Sequence, residues 1–184
     1  YDPLKAFDCK PGMRVGIAGV GGLGQMGIKI AAAMGATVIA ISRSPDKEAD
    51  AKAIGAHEFL VSTDENAMKA AAGSMDLVLD TISACHDAEM YSDLLATKGT
   101  LVMIGLQMAP VASSCAKFLF KRISITGSLI GGIKNTQEMM DFCVSNNIYP
   151  DIEVIRTDKI SECMHKLKDG NDRIVRYVLD CSSI

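Results

Sequence analysis

The feature that most constrains this chain is a run of glycines set between an apolar segment and an amphipathic one. Residues 14–19, with Val15 and Ile17, have the length and composition of a short buried strand. Gly19-Val20-Gly21-Gly22-Leu23-Gly24 follows without a break. Beyond it Leu23, Met26, Gly27, Ile30, Ala31 and Met34 fall at the i, i+3, i+4, i+7 spacing of one helix face. Gly35 stands where that helix needs a left-handed residue to stop it. A strand that passes into a helix through so tight a turn admits few folds, because the helix has to cross back over a sheet in the right-handed sense.

The same alternation runs on. Residues 37–41 read as a second strand, 46–54 as a helix stopped by Gly55, and 58–61 as a third strand. Thr63 is placed to cap an alanine-rich helix reaching Ala72, and 76–80 is a strand around Leu77-Val78-Leu79. A helix over 87–95, ending at Lys98-Gly99, precedes a fifth strand at 101–104. Residues 113–120 read as a short helix and 123–127 as a sixth strand, while Asn135 and Glu138 form a capping box for a helix carrying Met139, Phe142 and Cys143. Short apolar strands separated by helices predict the α/β class: a doubly wound, six-stranded parallel sheet of the Rossmann kind with helices on both faces. That pattern occupies residues 1–149, and 150–184 differ in kind. There an apolar run at 152–155, a helix near 160–168, the turn Gly170-Asn171 and a strand at 174–180 either add one crossover to the sheet edge or complete another domain outside this chain.

A GxGxxG run is a weak signal alone, but here it follows a strand, opens a helix and lies inside a βαβ unit, the conditions for holding a pyrophosphate. Gly19 makes the tight turn, Gly21 lets the backbone approach the phosphates, and Gly24 allows the helix to pack on the strand. The helix start then presents N–H groups and the positive end of its dipole to the anion. A carboxylate about 20 residues further on, at the end of the second strand, would accept from an adenosine ribose. Ser42 holds that place instead, followed by Arg43 and Ser44. A carboxylate about 4 Å from a 2′-phosphate would cost on the order of 4 kcal/mol per charge at an effective dielectric of 20. An arginine making charge-assisted bonds contributes roughly 1.5–3 kcal/mol, so Arg43 favours the phosphorylated dinucleotide about 10- to 100-fold. Lys47 either reaches the same phosphate or is a solvated lysine of the first helical turn; Asp46 is a helix-start charge rather than a ribose ligand.

Composition excludes several classes. The 184 residues are 48% hydrophobic and 22% charged with a net charge of −3, enough apolar surface for a core and too little charge for disorder. A weakly acidic balance argues against nucleic acid or an anionic membrane as the main partner. No apolar run approaches the 18 or so residues of a bilayer span. The start Tyr1-Asp2-Pro3 lacks an initiator Met and the basic and apolar regions of a signal peptide, and reads as the start of a piece of something longer. Cys9, Cys85, Cys115, Cys143, Cys163 and Cys181 are scattered singly with no CxxC pair, as expected of reduced, small, hydrophobic residues in a cytoplasmic protein. His57-Glu58 reads as a surface pair, Cys85-His86 as a loop and helix start, and His165 as solvated, so neither a metal site nor a catalytic residue is read in this chain.

The glycine turn together with Ile41-Ser42-Arg43-Ser44 resembles the zinc-type medium-chain alcohol dehydrogenases, in the branch of the NADP-dependent cinnamyl alcohol dehydrogenases. Asp80-Thr81-Ile82-Ser83, Gly99-Thr100-Leu101-Val102, Ile104-Gly105-Leu106 and Gly127-Ser128-Leu129-Ile130-Gly131-Gly132 continue the match. Asp141-Phe142-Cys143, Pro150-Asp151-Ile152-Glu153 and Arg176-Tyr177-Val178-Leu179-Asp180 carry it to nearly the whole chain. The resemblance implies that Gly19, Val20, Gly21, Gly22, Leu23 and Gly24 hold the pyrophosphate, and Ser42, Arg43, Ser44 and Lys47 the phosphorylated adenosine side. It also implies that Thr81 and Gly105 border the cofactor at strand ends, that Ser128, Leu129 and Ile130 meet the nicotinamide, and that Arg176 approaches the pyrophosphate from the tail.

The ligands of that family's catalytic zinc, a Cys, a Gly-His-Glu segment and a second Cys, are not in this chain, nor is its four-cysteine lobe. The resemblance therefore implies NADP(H) binding here, zinc in the parent protein only, and no turnover of an alcohol or aldehyde by this chain alone. Residues 150–184 would then complete the missing catalytic domain. The sixth strand, Ile123-Ser124-Ile125-Thr126, alternates in polarity as a sheet edge does, and in the family it pairs across a two-fold axis, which implies a homodimer. Two alternatives stand beside this reading, a zinc-free quinone reductase and a non-catalytic nucleotide-sensing module. A Gly-His-Glu segment with cysteines upstream separates the first, and a start codon just before Tyr1 would favour the second. Which alcohol or aldehyde is involved is not legible, because its pocket is formed largely by residues outside this chain.

Overall fold

The computed structural model describes residues 1–108, 110–111, 113–169 and 176–183, and the chain divides into two compact units, Tyr1–Ile148 and Tyr149–Ile184. The first unit opens with helix α1 (Asp2–Ala6), strand β1 (Arg14–Ala18), α2 (Gly22–Ala33), β2 (Thr37–Ser42) and α3 (Glu48–Ala53). It continues through β3 (Glu58–Val61), α4 (Glu65–Ala70), β4 (Met75–Asp80), α5 (Glu89–Ser92) and β5 (Leu95–Met103), then α6 (Cys115–Lys121), β6 (Ser124–Gly127) and α7 (Ile133–Ser145). The strands form one six-stranded sheet in the order β3-β2-β1-β4-β5-β6, every pair parallel. This is the doubly wound α/β architecture that the alternation of elements predicts.

The strands read as unbroken apolar runs because both of their faces are covered. Val15, Ile17, Val38, Ala40, Leu77 and Leu79 point to one side, packing with Leu4 of α1, Ile28 of α2 and Cys143 of α7. Ala18, Ile39, Ile41, Val78 and Leu101 point to the other, with Tyr91 of α5, Leu94 and Ile123. Each such aliphatic side chain taken fully out of water contributes about 1.5–3 kcal/mol. Gly35 takes φ +86° and Gly55 φ +115°, so both end their helices in the left-handed region as expected.

Several local expectations are corrected. Asp64, not Thr63, caps α4, its Oδ1 accepting from the N–H groups of Asn66 (2.9 Å) and Ala67 (3.1 Å). The helix expected over 46–54 begins as a 3-10 turn at Pro45–Lys47 and becomes α-helical only at Glu48. The helix expected over 87–95 is limited to Glu89–Ser92, because Leu94 and Leu95 are buried beneath the sheet and Leu95 already pairs with Met75 of β4. Asn135 and Glu138 are not a capping box: α7 starts earlier, behind Gly132, and the two side chains reach Asp2 and Lys5 of α1 instead. All six cysteines are free, but Cys85, Cys115 and Cys181 are exposed, so burial holds only for Cys143 and Cys163, with Cys9 between.

In the second unit β7 (Glu153–Arg156) pairs in parallel with β8 (Tyr177–Asp180), and α8 (Ile160–Asp169) lies between them in the chain. These strands make a sheet of their own rather than an added strand on the six-stranded edge. Among the described residues Ile155 and Cys163 are its buried hydrophobics, and Thr157 is tied to Ser183 through its N–H (3.0 Å) and its hydroxyl (3.1 Å). The expected Gly170-Asn171 turn and the first residues of the last strand lie outside the described residues.

The amino ends of three strands are gathered by one side chain. Arg14 donates to both carboxylate oxygens of Glu58 (2.8 and 2.9 Å) and to the Ser74 carbonyl (3.1 Å), while its own N–H meets Asp76 (2.8 Å). His57 and Glu58 are both at the surface, as expected, and Glu58 there serves as the partner of Arg14. The hydrogen bond from Arg14 holds the Glu58 carboxyl below its usual value. A lowered folded value means that the stabilisation is present above the ordinary carboxylate range and is lost as pH falls through the folded value. Both groups are partly solvated, so Glu58→Gln should cost at most about 1 kcal/mol at pH 7. Denaturant melts should show that gap narrowing as the pH is lowered from about 6 to about 3.

Candidate functional site

The glycine turn lies at the carboxyl end of β1, the central strand, where the chain runs to β2 on one side and pairs with β4 on the other. Gly19 adopts φ +91°, and its N–H donates to the Ile41 carbonyl (2.9 Å). A Cβ on Gly24 would sit 1.8 Å from the Gly19 carbonyl oxygen, and one on Gly19 would sit 2.8 Å from Thr81 Oγ1. Thr81 in turn donates its hydroxyl to the Ala18 carbonyl (2.8 Å). Gly21 is different: a Cβ there would meet nothing within 4 Å, so its missing side chain leaves open space above the backbone. Gly21 is also the N-cap of α2, and no side chain caps that helix. An α-helix start with no side-chain cap, beside open space above Gly21, fits the phosphates of a dinucleotide.

At the neighbouring end of β2, the Ser42 hydroxyl accepts from the Ser44 N–H (3.2 Å), and the Ser42 carbonyl accepts from the Ser62 N–H (2.9 Å). Arg43 is exposed. Lys47 turns back to the glycine turn, its ammonium 3.5 Å from the Val20 carbonyl, so it is half-buried rather than freely solvated. No Asp or Glu ends this strand.

A cavity of about 490 Å³ lies beside the turn, lined by Leu23, Thr81, Ile104, Ser128, Leu129 and Ile130 among others. Leu129 and Ile130 are 87% and 90% exposed. The structure thus brings Leu23, Thr81 and the 128–130 segment together, and sets Ser42, Arg43, Ser44 and Lys47 at the adjacent strand end. Two expected residues serve from behind. The Val20 side chain is buried in the core, and Gly105 packs against the Ile82 backbone, where a Cβ would come within 2.3 Å of the carbonyl oxygen. Arg176 belongs to the second unit. Met26, Ile30 and Met139 also line the cavity. Their helical spacing had marked them only as core, and an apolar face that continues to the very first turn of a helix was the available signal. Among the described residues no three His, Cys, Asp or Glu side chains gather as a metal ion needs, so this donor set does not fit zinc.

An open parallel sheet, doubly wound, with a bare glycine turn at its central strand defines the class, an α/β domain of the Rossmann type. More particularly, the chain belongs to the zinc-binding dehydrogenase family, whose model matches residues 22–145. It is 42% identical to aldehyde reductase YahK of Escherichia coli over 181 residues, 98% of this chain and 52% of that protein. Its fold superposes on a cinnamyl alcohol dehydrogenase of Sorghum bicolor (SbCAD4) with a TM-score of 0.93 at 33% identity, covering 99% of this chain and 52% of that one. A cinnamyl alcohol dehydrogenase of Helicobacter pylori, solved in complex with NADP(H), matches with a TM-score of 0.84 at 37% identity over the same shares. The chain spans about half the length of the relatives it matches.

The two glycines should separate in a stability measurement. Gly24→Ala forces a backbone shift and should cost about 3 kcal/mol, whereas Gly21→Ala, entering open space, should leave the denaturation midpoint unchanged.

Proposed function

We propose that this chain is the NADP(H)-binding part of a zinc-dependent alcohol dehydrogenase or aldehyde reductase, in which hydride passes between the nicotinamide and a primary alcohol or aldehyde. The observation that carries the reading is a glycine turn whose helix start has no side-chain cap, beside a β2 end that bears Ser42 and Arg43 in place of an acid. Membership of the family supports it, as does the likeness to the NADP(H)-bound Helicobacter pylori enzyme.

On this reading Gly19, Val20, Gly21, Gly22, Leu23 and Gly24 hold the pyrophosphate through the backbone and the start of α2. Ser42, Arg43, Ser44 and Lys47 take the adenosine 2′-phosphate, Lys47 being held within reach by the Val20 carbonyl. Thr81, Ser128, Leu129 and Ile130 border the nicotinamide, the last two as apolar cover that keeps water from the reacting face. Gly105 backs this wall by letting the turns after β4 and β5 touch. When bound, the nicotinamide supplies or accepts the hydride.

Residues 1–149 are then the dinucleotide domain, and 150–184 pack toward a catalytic domain that carries the zinc ligands outside this chain. Exposed Val154, Val178 and Leu179 in the second unit support such a partner. The chain by itself turns over no aldehyde. The unpaired side of β6, last in the strand order, supports a homodimer formed edge to edge.

Fluorescence titration should show NADPH binding more tightly than NADH, and Arg43→Ala should cut that preference about 10- to 100-fold. Equal affinity for the two dinucleotides would overturn the coenzyme assignment, and zinc-dependent aldehyde reduction by the same preparation would overturn the predicted inactivity. Sedimentation equilibrium should give twice the mass of the chain; a monomeric mass would remove the edge-to-edge pairing.

A further inference from the structure

Among the described residues, backbone hydrogen bonds fasten the 128–132 segment at its two ends and not between them. The Ser128 N–H donates to the Met103 carbonyl (3.0 Å) at the end of β5. At the other end the Gly132 carbonyl accepts from the N–H (2.9 Å) and the hydroxyl (3.1 Å) of Thr136, in the first turn of α7. Burial does not fix the middle either, because Leu129 and Ile130 stand almost fully exposed. Yet this is the stretch that forms one wall of the cavity beside the glycine turn.

What meets the middle of the segment is a side chain from far away in the sequence. Asp2, in the first turn of α1, accepts through Oδ1 from the side-chain amide of Asn135 in α7. The same Oδ1 lies against Gly131, where a Cβ would sit 2.9 Å from it and 3.2 Å from the Asn135 Cβ. The carboxylate therefore fills the place that a side chain on residue 131 would take. About one turn further along both helices Lys5 pairs with Glu138, so α1 and α7 are joined twice. That second pair is partly solvated and contributes little. The first lies at the wall itself: Asp2, Gly131 and Asn135 line the same cavity as Thr81 and Ser128.

We propose that Asp2 is a positioning residue for the nicotinamide end of the dinucleotide: by holding Asn135 and lying against Gly131, it fixes the 128–131 wall beside which that ring rests. The inference rests on the reading that this chain binds NADP(H) with Ser128, Leu129 and Ile130 at the nicotinamide. The adenosine end is built from β2 and the turn that follows it, elements to which neither Asp2 nor Asn135 belongs. Without the Asp2–Asn135 bond the wall has to be ordered by the ligand, and that ordering is subtracted from the binding free energy. The loss falls on a ligand that carries the nicotinamide and spares one that stops at the ribose.

Calorimetric titration of the full chain with NADPH and with 2′-phospho-ADP-ribose, which lacks only the nicotinamide, separates the two ends. The wild type should bind NADPH the more tightly. Asp2→Ala and Asn135→Ala should each weaken NADPH roughly three- to tenfold and leave 2′-phospho-ADP-ribose within about twofold of the wild type. The double variant should be no weaker than either single one, because both remove the same bond. Asp2→Asn, whose amide oxygen can still accept from Asn135, should restore most of the NADPH affinity. Equal weakening of the two ligands makes the pair a prop of the fold alone and overturns the inference. Additive losses in the double variant, unchanged affinity in the single ones, or a wild type that binds both ligands equally overturn it as well. Alanine is well accepted inside a helix, so Asn135→Ala carries the test even where Asp2→Ala fails to fold. A wild type that binds neither ligand overturns the coenzyme reading itself, and is distinguishable because the inference fails on ratios measured against a wild type that binds.

Discussion

The contact on which the rest depends is between two backbone segments. The carbonyl of Gly19 lies so close to Gly24 that a single methyl group would sit 1.8 Å from its oxygen. This sets how near α2 can come to β1, and hence where the bare start of the helix stands relative to the sheet. Thr81 completes the arrangement, its hydroxyl reaching back to Ala18 from the end of β4. Three separate stretches of chain are thus locked at one point by shape and hydrogen bonding.

The two ends of the sheet are treated differently. At the amino end the Arg14 guanidinium is paired with Glu58 and the Ser74 carbonyl, while its backbone N–H donates to Asp76. At the carboxyl end Arg43 stands exposed, Lys47 leans on a carbonyl, and the helix start adds its own positive potential. A closed charge network needs no ligand, whereas a cationic end with open space above Gly21 is an invitation to an anion. The apolar surface follows the same division: Leu129 and Ile130 stand exposed beside the cavity at the carboxyl end.

Much of this was legible in the sequence, and the reason lies in the kind of signal. Strands buried on both faces, such as 15–18 and 77–79, are apolar throughout, so they stand out without knowledge of their neighbours. The glycine turn and the Ser42-Arg43 step are local too. What escaped depends on partners distant in the chain. Asn135 and Glu138 have a capping spacing, but they turn to Asp2 and Lys5, which no periodicity could reveal. The helix before β5 is cut short because Leu95 is claimed by Met75, a tertiary pairing that overrides local preference. His86 looked like a loop residue because its partner Asp80 ends a strand whose buried centre, Leu77-Val78-Leu79, is apolar. A lone carboxylate closing a buried strand, with an imidazole a few residues on, was the one hint of that pair.

The strand order also governs how the molecule comes into being. Val15 of the central strand lies between Val38 and Leu77, so one of its edges is satisfied by the next strand, through a single helical crossover, and the other by a strand that comes much later. At synthesis speeds of about 5–20 residues per second, the later strand leaves the ribosome several seconds behind the first. Once β3 has emerged and until β4 arrives, the half-sheet β3-β2-β1 carries a naked, very hydrophobic border along its innermost strand. That border is the aggregation-prone edge of the nascent chain, and its exposure is timed by translation rather than by the final stability of the fold.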